Sequence, residues 1–252
     1  MASILHNQEQ GVLTLTLNRV DKKNALTADM YAALADHLTQ AQAANDVRVV
    51  LLQGHETVFS AGNDIADFLQ QPPATTDSPV SRFLRGVAVF PKPLMAAVCG
   101  PAVGVGTTML LHCDLVYAGD NAAFSMPFVN LGLCPEAASS LLAVHLMGYQ
   151  RAAEALLMGE PFMVETALEL GLISRVLPPS EVHAYAQSQA QKMARKPLSS
   201  LLETKRLMKA ARTPAVLAQM DEEAQVFSRM LKEPAAIEAF NAFMEKRKPV
   251  FS

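Results

Sequence analysis

Cysteine is scarce: the three residues Cys99, Cys113 and Cys134 form no Cys-x-x-Cys pair and are odd in number. They sit among apolar or small neighbours, which excludes a disulfide-stapled scaffold and suits a reducing compartment. Charge is sparse too, with 18% Asp, Glu, Lys and Arg in 252 residues and a formal net charge of −3. So mild a balance offers nucleic acid no electrostatic footprint, and the one basic cluster, Lys246-Arg247-Lys248, is too short to change that. No apolar run approaches the ~20 residues of a membrane span. The opening Met-Ala-Ser-Ile-Leu-His-Asn-Gln-Glu lacks a charged start and an apolar run, so no secretory signal is expected. The ending Pro249-Val-Phe-Ser252 is not a peroxisomal address. A cytoplasmic protein without membrane or nucleic-acid partners is the expectation. Several motifs are missing as well. Gly104-Val-Gly106 lacks the third glycine of a dinucleotide fingerprint, and neither Gly-Lys-Ser/Thr, Gly-x-Ser-x-Gly nor His-Glu-x-x-His occurs.

What is present is apolar residue, half of the chain. A chain this long buries roughly three quarters of the surface it exposes when unfolded, so a sizeable core is expected. Gly11 to Leu17 alternates with period two and reads as a half-buried strand. Thr27 is placed to cap a helix whose apolar positions Met30, Leu34, Leu38 and Ala41 share one face. Val47 to Leu52, but for Arg48, and Leu94 to Cys99 are apolar, as in strands covered on both faces, and Asp114 to Ala118 is strand-like. Gln70 to Pro79 is rich in turn residues and predicts a mobile surface loop, a candidate lid. Beyond Glu136 the pattern is mostly helical. A helix follows Ser180 to about Lys196, Pro197 opens another, and Pro214 and Pro234 suit first helical turns.

Two glycine-bearing turns each follow a buried strand: Phe59-Ser-Ala-Gly-Asn-Asp64 and Gly100-Pro-Ala-Val-Gly-Val-Gly106. They read either as ordinary strand-to-helix turns or as two helix starts whose free N–H groups converge on a developing oxyanion. Glu136 reads either as an acidic residue in a first helical turn or as a carboxylate held in an apolar site as a base. His112-Cys113-Asp114 reads as core packing and a turn rather than a metal site, because sequence neighbours point in different directions.

Taken together, a series of short segments resembles the crotonase (enoyl-CoA hydratase/isomerase) superfamily over nearly the whole chain. They are Leu17-Asn-Arg19 with Asn24-Ala-Leu26, Val58-Phe-Ser-Ala-Gly-Asn-Asp64, Lys92-Pro93, Ala96 to Gly106 and Cys113 to Ala118. Gly171-Leu-Ile with Val176, and Phe243-Met-Glu-Lys-Arg-Lys-Pro249, complete the series. The resemblance implies an α/β fold, a crotonase-type spiral of repeated ββα units over residues 1–195. A helical C-terminal segment, residues 196–252, would complete the coenzyme A site and the interface of a homotrimer or hexamer. It implies an acyl-CoA thioester substrate whose carbonyl accepts hydrogen bonds from the backbone amides of Asn63 and Val105. Coenzyme A would lie along Lys23, Ala25, Ala61, Asp64 and Ile65, with Phe243 and Lys246 from the tail. No metal and no further cofactor is implied, coenzyme A being part of the substrate.

Departures from the family pattern narrow the reaction. Similar hydratases carry two water-handling glutamates, at the places where this chain has Thr108 and Phe128. Glu136 instead matches the single glutamate of the Δ3-Δ2-enoyl-CoA isomerase subgroup. The resemblance therefore implies an isomerase with Glu136 as acid and base. A hydratase or other crotonase-type reaction, or a member that binds acyl-CoA without turnover, are the alternatives.

Overall fold

Gln10 and Gly11 take positive φ angles of 50° and 80°, the backbone of a two-residue hairpin turn. It joins β1 (Ile4–Glu9) to β2 (Val12–Leu17), with Glu9 opposite Val12. The structure is a computed structural model that describes residues 2–70 and 77–251. Residues 71–76 of the expected surface loop lie outside the described residues. After the hairpin come α1 (Ala28–Ala43), β3 (Val49–Gln53), α2 (Ile65–Gln70), α3 (Pro79–Val89), β4 (Leu94–Val98), β5 (Pro101–Val103) and α4 (Val105–Thr108). They are followed by β6 (Leu115–Gly119), β7 (Ala123–Ser125), α5 (Ser139–Met147), α6 (Tyr149–Ala153), β8 (Phe162–Met163), α7 (Val164–Glu169) and β9 (Arg175–Leu177). Four helices close the chain: α8 (Pro179–Ala194), α9 (Leu198–Ala210), α10 (Thr213–Met230) and α11 (Pro234–Met244). Thr27 caps α1 as expected, its hydroxyl accepting the Met30 N–H at 3.3 Å.

Six strands form one sheet in the order β1-β2-β3-β4-β6-β9, and β5, β7 and β8 form a second. Apart from the hairpin, every pairing in the large sheet is parallel. The chain repeatedly lays one strand in the large sheet, then one in the small sheet, then a helix: β4, β5 and α4 are one such unit. In the preceding unit the small-sheet strand shrinks to a single bridge, Ser60 to Ala102. This is the spiral of ββα units that the family resemblance implies.

Both faces of the large sheet are covered. On one, Leu13, Leu15, Val50, Leu52, Leu94 and Ala96 pack with Met30, Leu34 and Leu38 of α1 and with Phe83 and Val87 of α3. On the other, Val12, Val49, Leu51, Met95 and Ala97 meet Val182, Ala186, Ala190 and Ala194. Those four recur every fourth residue, so α8 presents one small-residue stripe and lies close against the strands. This corrects the reading of Gly11 to Leu17 as half-buried. Even Thr14 is buried, its hydroxyl donating to Gln187 Oε1 at 3.0 Å. The region beyond Glu136, expected to be mostly helical, also carries β8 and β9, which are too short for a period to show. Among the described residues no helix is long and apolar enough to cross a membrane.

Gly100 carries a tight crossing between units. Its φ is +65°, and a Cβ there would lie 2.0 Å from the Thr57 carbonyl oxygen. Backbone cannot yield as a flexible side chain can. Gly100→Ala should therefore lose about 3 kcal/mol of stability or more. Urea unfolding at neutral pH checks this, and a midpoint unchanged from wild type would refute it.

Candidate active site

The two glycine turns are sewn to each other. The Ser60 N–H donates to Pro101 O at 3.1 Å and the Val103 N–H to Ser60 O at 2.9 Å. Glycines permit this approach. A Cβ on Gly62 would sit 3.0 Å from Val103 O, and one on Gly106 would sit 3.0 Å from Ser60 O. Gly62 and Gly104 also hold φ at +91° and +55°, where a side chain is strained. Just past these glycines stand Asn63 and Val105. Among the described residues, no group of the chain takes up the amide N–H of either. Both residues line one cavity of about 630 Å³. Two unpartnered donors on one wall can hold an oxygen on which negative charge develops.

The loop before α1 is fastened to the first of these turns. Asn24, fully buried, donates from Nδ2 to Val58 O and Phe59 O, and the Ser60 hydroxyl donates to Asn24 O at 2.9 Å. Arg19 Nη1 donates to Ala25 O at 3.0 Å and pairs with Asp64 Oδ2 at 2.7 Å. Burial pushes the Asp64 carboxyl up, but the hydrogen bonds from Arg19 and from the Asp67 and Ala66 amides outweigh it and hold Asp64 below its ordinary value. Lys23, Ala25, Ala61, Asp64 and Ile65 all line the cavity. The same cavity is lined by Phe128, Leu131 and Leu133, with Phe227 from α10 and Phe240, Phe243 and Met244 from α11. Phe243 is thus brought to the cavity. Lys246, exposed just beyond α11, is not part of the wall.

Glu136 is not part of the wall either; it is buried, 8% exposed, and its Oε1 has no hydrogen-bond partner among the described residues. Burial raises its carboxyl from 4.5 to about 8, with a further push from the charge of Glu223. The link to the amides runs through Tyr31. The Tyr31 hydroxyl donates to Asn63 Oδ1 at 2.5 Å, and Tyr31 is raised well above its ordinary range, first by burial and then by the Glu136 charge beside it. The charge of Glu136 thus reaches the tyrosine that holds the Asn63 side chain. A carboxyl that ionises only near neutral pH, in a site this dry, can take up and give back a proton.

The His112-Cys113-Asp114 triplet diverges, as core packing requires. His112 Nε2 lies 2.8 Å from Ala137 O, Cys113 Sγ faces Met109 O, and Asp114 Oδ2 accepts from the Leu94 N–H and from Lys205 Nζ. Sequence reasoning missed Tyr31, Glu223, Phe227 and Phe240 as neighbours of the site. Tyr31 had a weak signal, since Tyr31, Leu34 and Leu38 share a helical face; Glu223 sits in Asp221-Glu222-Glu223, which looks like a solvated charge run.

The enoyl-CoA hydratase/isomerase family profile matches residues 7–252. Among curated relatives, a 2,3-dehydroadipyl-CoA hydratase of Escherichia coli is 32% identical, the match covering 100% of this chain and 99% of the relative. An enoyl-CoA delta isomerase 2 of Rattus norvegicus is 35% identical, over 98% of this chain and 64% of the relative. A crystal structure of an enoyl-CoA hydratase/isomerase from Pseudoalteromonas atlantica superposes with a TM-score of 0.95 at 39% identity, covering 100% of both chains. The spiral of ββα units, the paired glycine turns and these full-length likenesses have one common account: the chain belongs to the enoyl-CoA hydratase/isomerase family, within the crotonase superfamily.

Proposed function

We propose that the chain moves the double bond of a 3-enoyl-CoA to give the 2-trans-enoyl-CoA, with Glu136 as both base and acid. The thioester oxygen accepts hydrogen bonds from the amides of Asn63 and Val105. Glu136 removes the α-proton, the electrons shift through the enolate, and protonated Glu136 returns the proton to the γ-carbon. No atom is gained or lost overall, and Glu136 ends in the ionised form in which it began. The observation that carries this reading is Glu136 itself: buried, with one oxygen free of partners and a proton affinity suited to work near neutral pH. A donor aimed at an oxyanion lowers a barrier by about 3–4 kcal/mol, and general acid–base catalysis adds about 10²–10⁴-fold. Coenzyme A is read along Lys23, Ala25, Ala61, Asp64 and Ile65, with the aromatic wall receiving the acyl chain.

Because the base must be ionised, kcat/KM for isomerisation should rise about tenfold per pH unit below its turning point and level off above it. The turning point expected from the Glu136 carboxyl is near pH 8. A profile flat from pH 6 to 9 would remove Glu136 from the rate-determining proton transfer.

A hydratase reading has its own support. Three curated relatives carry that name, and Thr108 is buried with a hydroxyl oxygen lacking a partner among the described residues, where a water could bind. A homotrimer or hexamer built on the C-terminal segment is what the resemblance implies, and apolar side chains left open there, Phe243 and Met244 at 58% exposed, suit such a contact. Light scattering decides between assembly and monomer.

A further inference from the structure

Glu136 is followed by two non-glycine residues in the left-handed region, Ala137 at φ 61° and Ala138 at φ 54°. Each such residue is strained, and two in succession persist only where the surroundings hold them. Helix α5 begins immediately afterwards, and its N-cap, Ala138, has no side chain that can cap it. The cap comes from 85 residues away. Glu223 Oε2 accepts the Ala138 N–H at 2.6 Å, and Oε1 accepts the Ser140 N–H at 3.0 Å together with the Ser140 hydroxyl. Gln219 Nε2 donates to that hydroxyl at 3.0 Å, which orients its proton toward Glu223. From the other side His112 reaches Ala137 O. Burial keeps His112 neutral, its pKa lowered to about 4, so Nε2 carries the proton and donates.

The Glu223 carboxylate is itself only 5% exposed, on the α10 face that otherwise buries Val216, Met220 and Phe227. A charge among those apolar neighbours is costly, and sealing one helix start does not demand it, because Ser or Asp at the cap would do so locally. We propose that Glu223 is a positioning residue for Glu136, clamping the Ala137–Ala138 turn against His112 so that the backbone carrying the Glu136 side chain is fixed. This rests on Glu136 being the base, as read above. Its charge has a second consequence, since a buried carboxylate beside Glu136 disfavours ionising it. Other titratable or charged groups around the pair are Tyr31 on α1, Cys134 and His112, and Glu222 beside Glu223 on α10. Arg229 lies toward Cys134, and Lys205, Lys209 and Arg212 lie toward His112.

Glu223→Gln removes the charge and one acceptor, whereas Glu223→Asp keeps the charge and shortens the reach. For Glu223→Gln we expect the acid limb of kcat/KM to move to lower pH by at least about half a unit, and kcat on the plateau to fall about ten- to a hundredfold. For Glu223→Asp the limb should stay in place while kcat falls. KM should change by less than about threefold in both, since the amides and the cavity wall belong to other elements. Ser140→Ala, a milder change, should lower kcat in the same direction if Glu223→Gln proves unstable. Carbon-13 titration of the Glu136 carboxyl, assigned with Glu136→Gln, reads the pH shift without any turnover. An unmoved titration together with wild-type kcat in Glu223→Gln or Ser140→Ala would overturn the proposal. Activity surviving in Glu136→Gln would instead overturn the isomerase reading and leave the titration result to stand on its own.

Discussion

Glu136→Gln is expected to lose at least about a thousandfold in kcat for moving a 3-enoyl-CoA double bond, with KM changed by less than about threefold. The amide has the shape of the carboxyl but cannot accept the α-proton, and the two backbone donors that bind the thioester are untouched. The substitution should also stabilise the chain at alkaline pH. Burial first, and the Glu223 charge second, raise the Glu136 carboxyl from 4.5 to about 8. Between those values the folded chain holds a proton that the unfolded chain has released. The stability this contributes is complete below the lower value and is lost as pH rises through the higher one. Glu136→Gln should therefore melt at a higher temperature than wild type at about pH 8.5, the gap closing toward about pH 5. Kinetics and calorimetry on one preparation read both effects. Activity within tenfold of wild type would remove Glu136 from the mechanism.

Isomerisation of 3-enoyl-CoA is expected to outrun hydration of 2-enoyl-CoA by at least about a hundredfold. Adding water needs a group to take its proton and another to supply one to carbon. At the positions where similar hydratases carry glutamates stand Thr108, fully buried, and Phe128, buried at 5% and lining the cavity. A threonine hydroxyl can hold a water but cannot take its proton near neutral pH, and Phe128 dries the space beside it. The shuttle through Glu136 needs neither group. Absorbance of the conjugated thioester follows both reactions, rising as the double bond moves into conjugation and falling as water adds. Equal rates would return the assignment to hydration.

Part of the candidate site was legible in the residues because it is made of backbone. The two turns need conformations that glycine allows, so Gly62, Gly104 and the close crossing at Gly100 leave a local mark, while Asn63 and Val105 as the donors came from the resemblance. The Thr27 cap, the α1 face and the proline-led starts of α10 and α11 are local in the same way. The Glu136 position was legible too, through its resemblance to a family motif, but its depth was not.

Tertiary structure alone decided what surrounds those features. Burial of β2 on both faces depends on α8, whose stripe arrives about 170 residues later in the chain, and strand periodicity cannot report a partner that distant. The aromatic lining of the cavity comes in part from Phe227, Phe240 and Phe243, whose helical spacing predicts an apolar face without saying what it meets. Glu223 is the sharpest case. Within Asp221-Glu222-Glu223 the three carboxylates are chemically alike, yet only the third lies on the face that α10 turns inward, toward the strained turn after Glu136. A side chain's proton affinity and its grip on a distant backbone are set by solvent exclusion and by neighbours brought together only when the chain closes, and for those the order of residues holds no local signal.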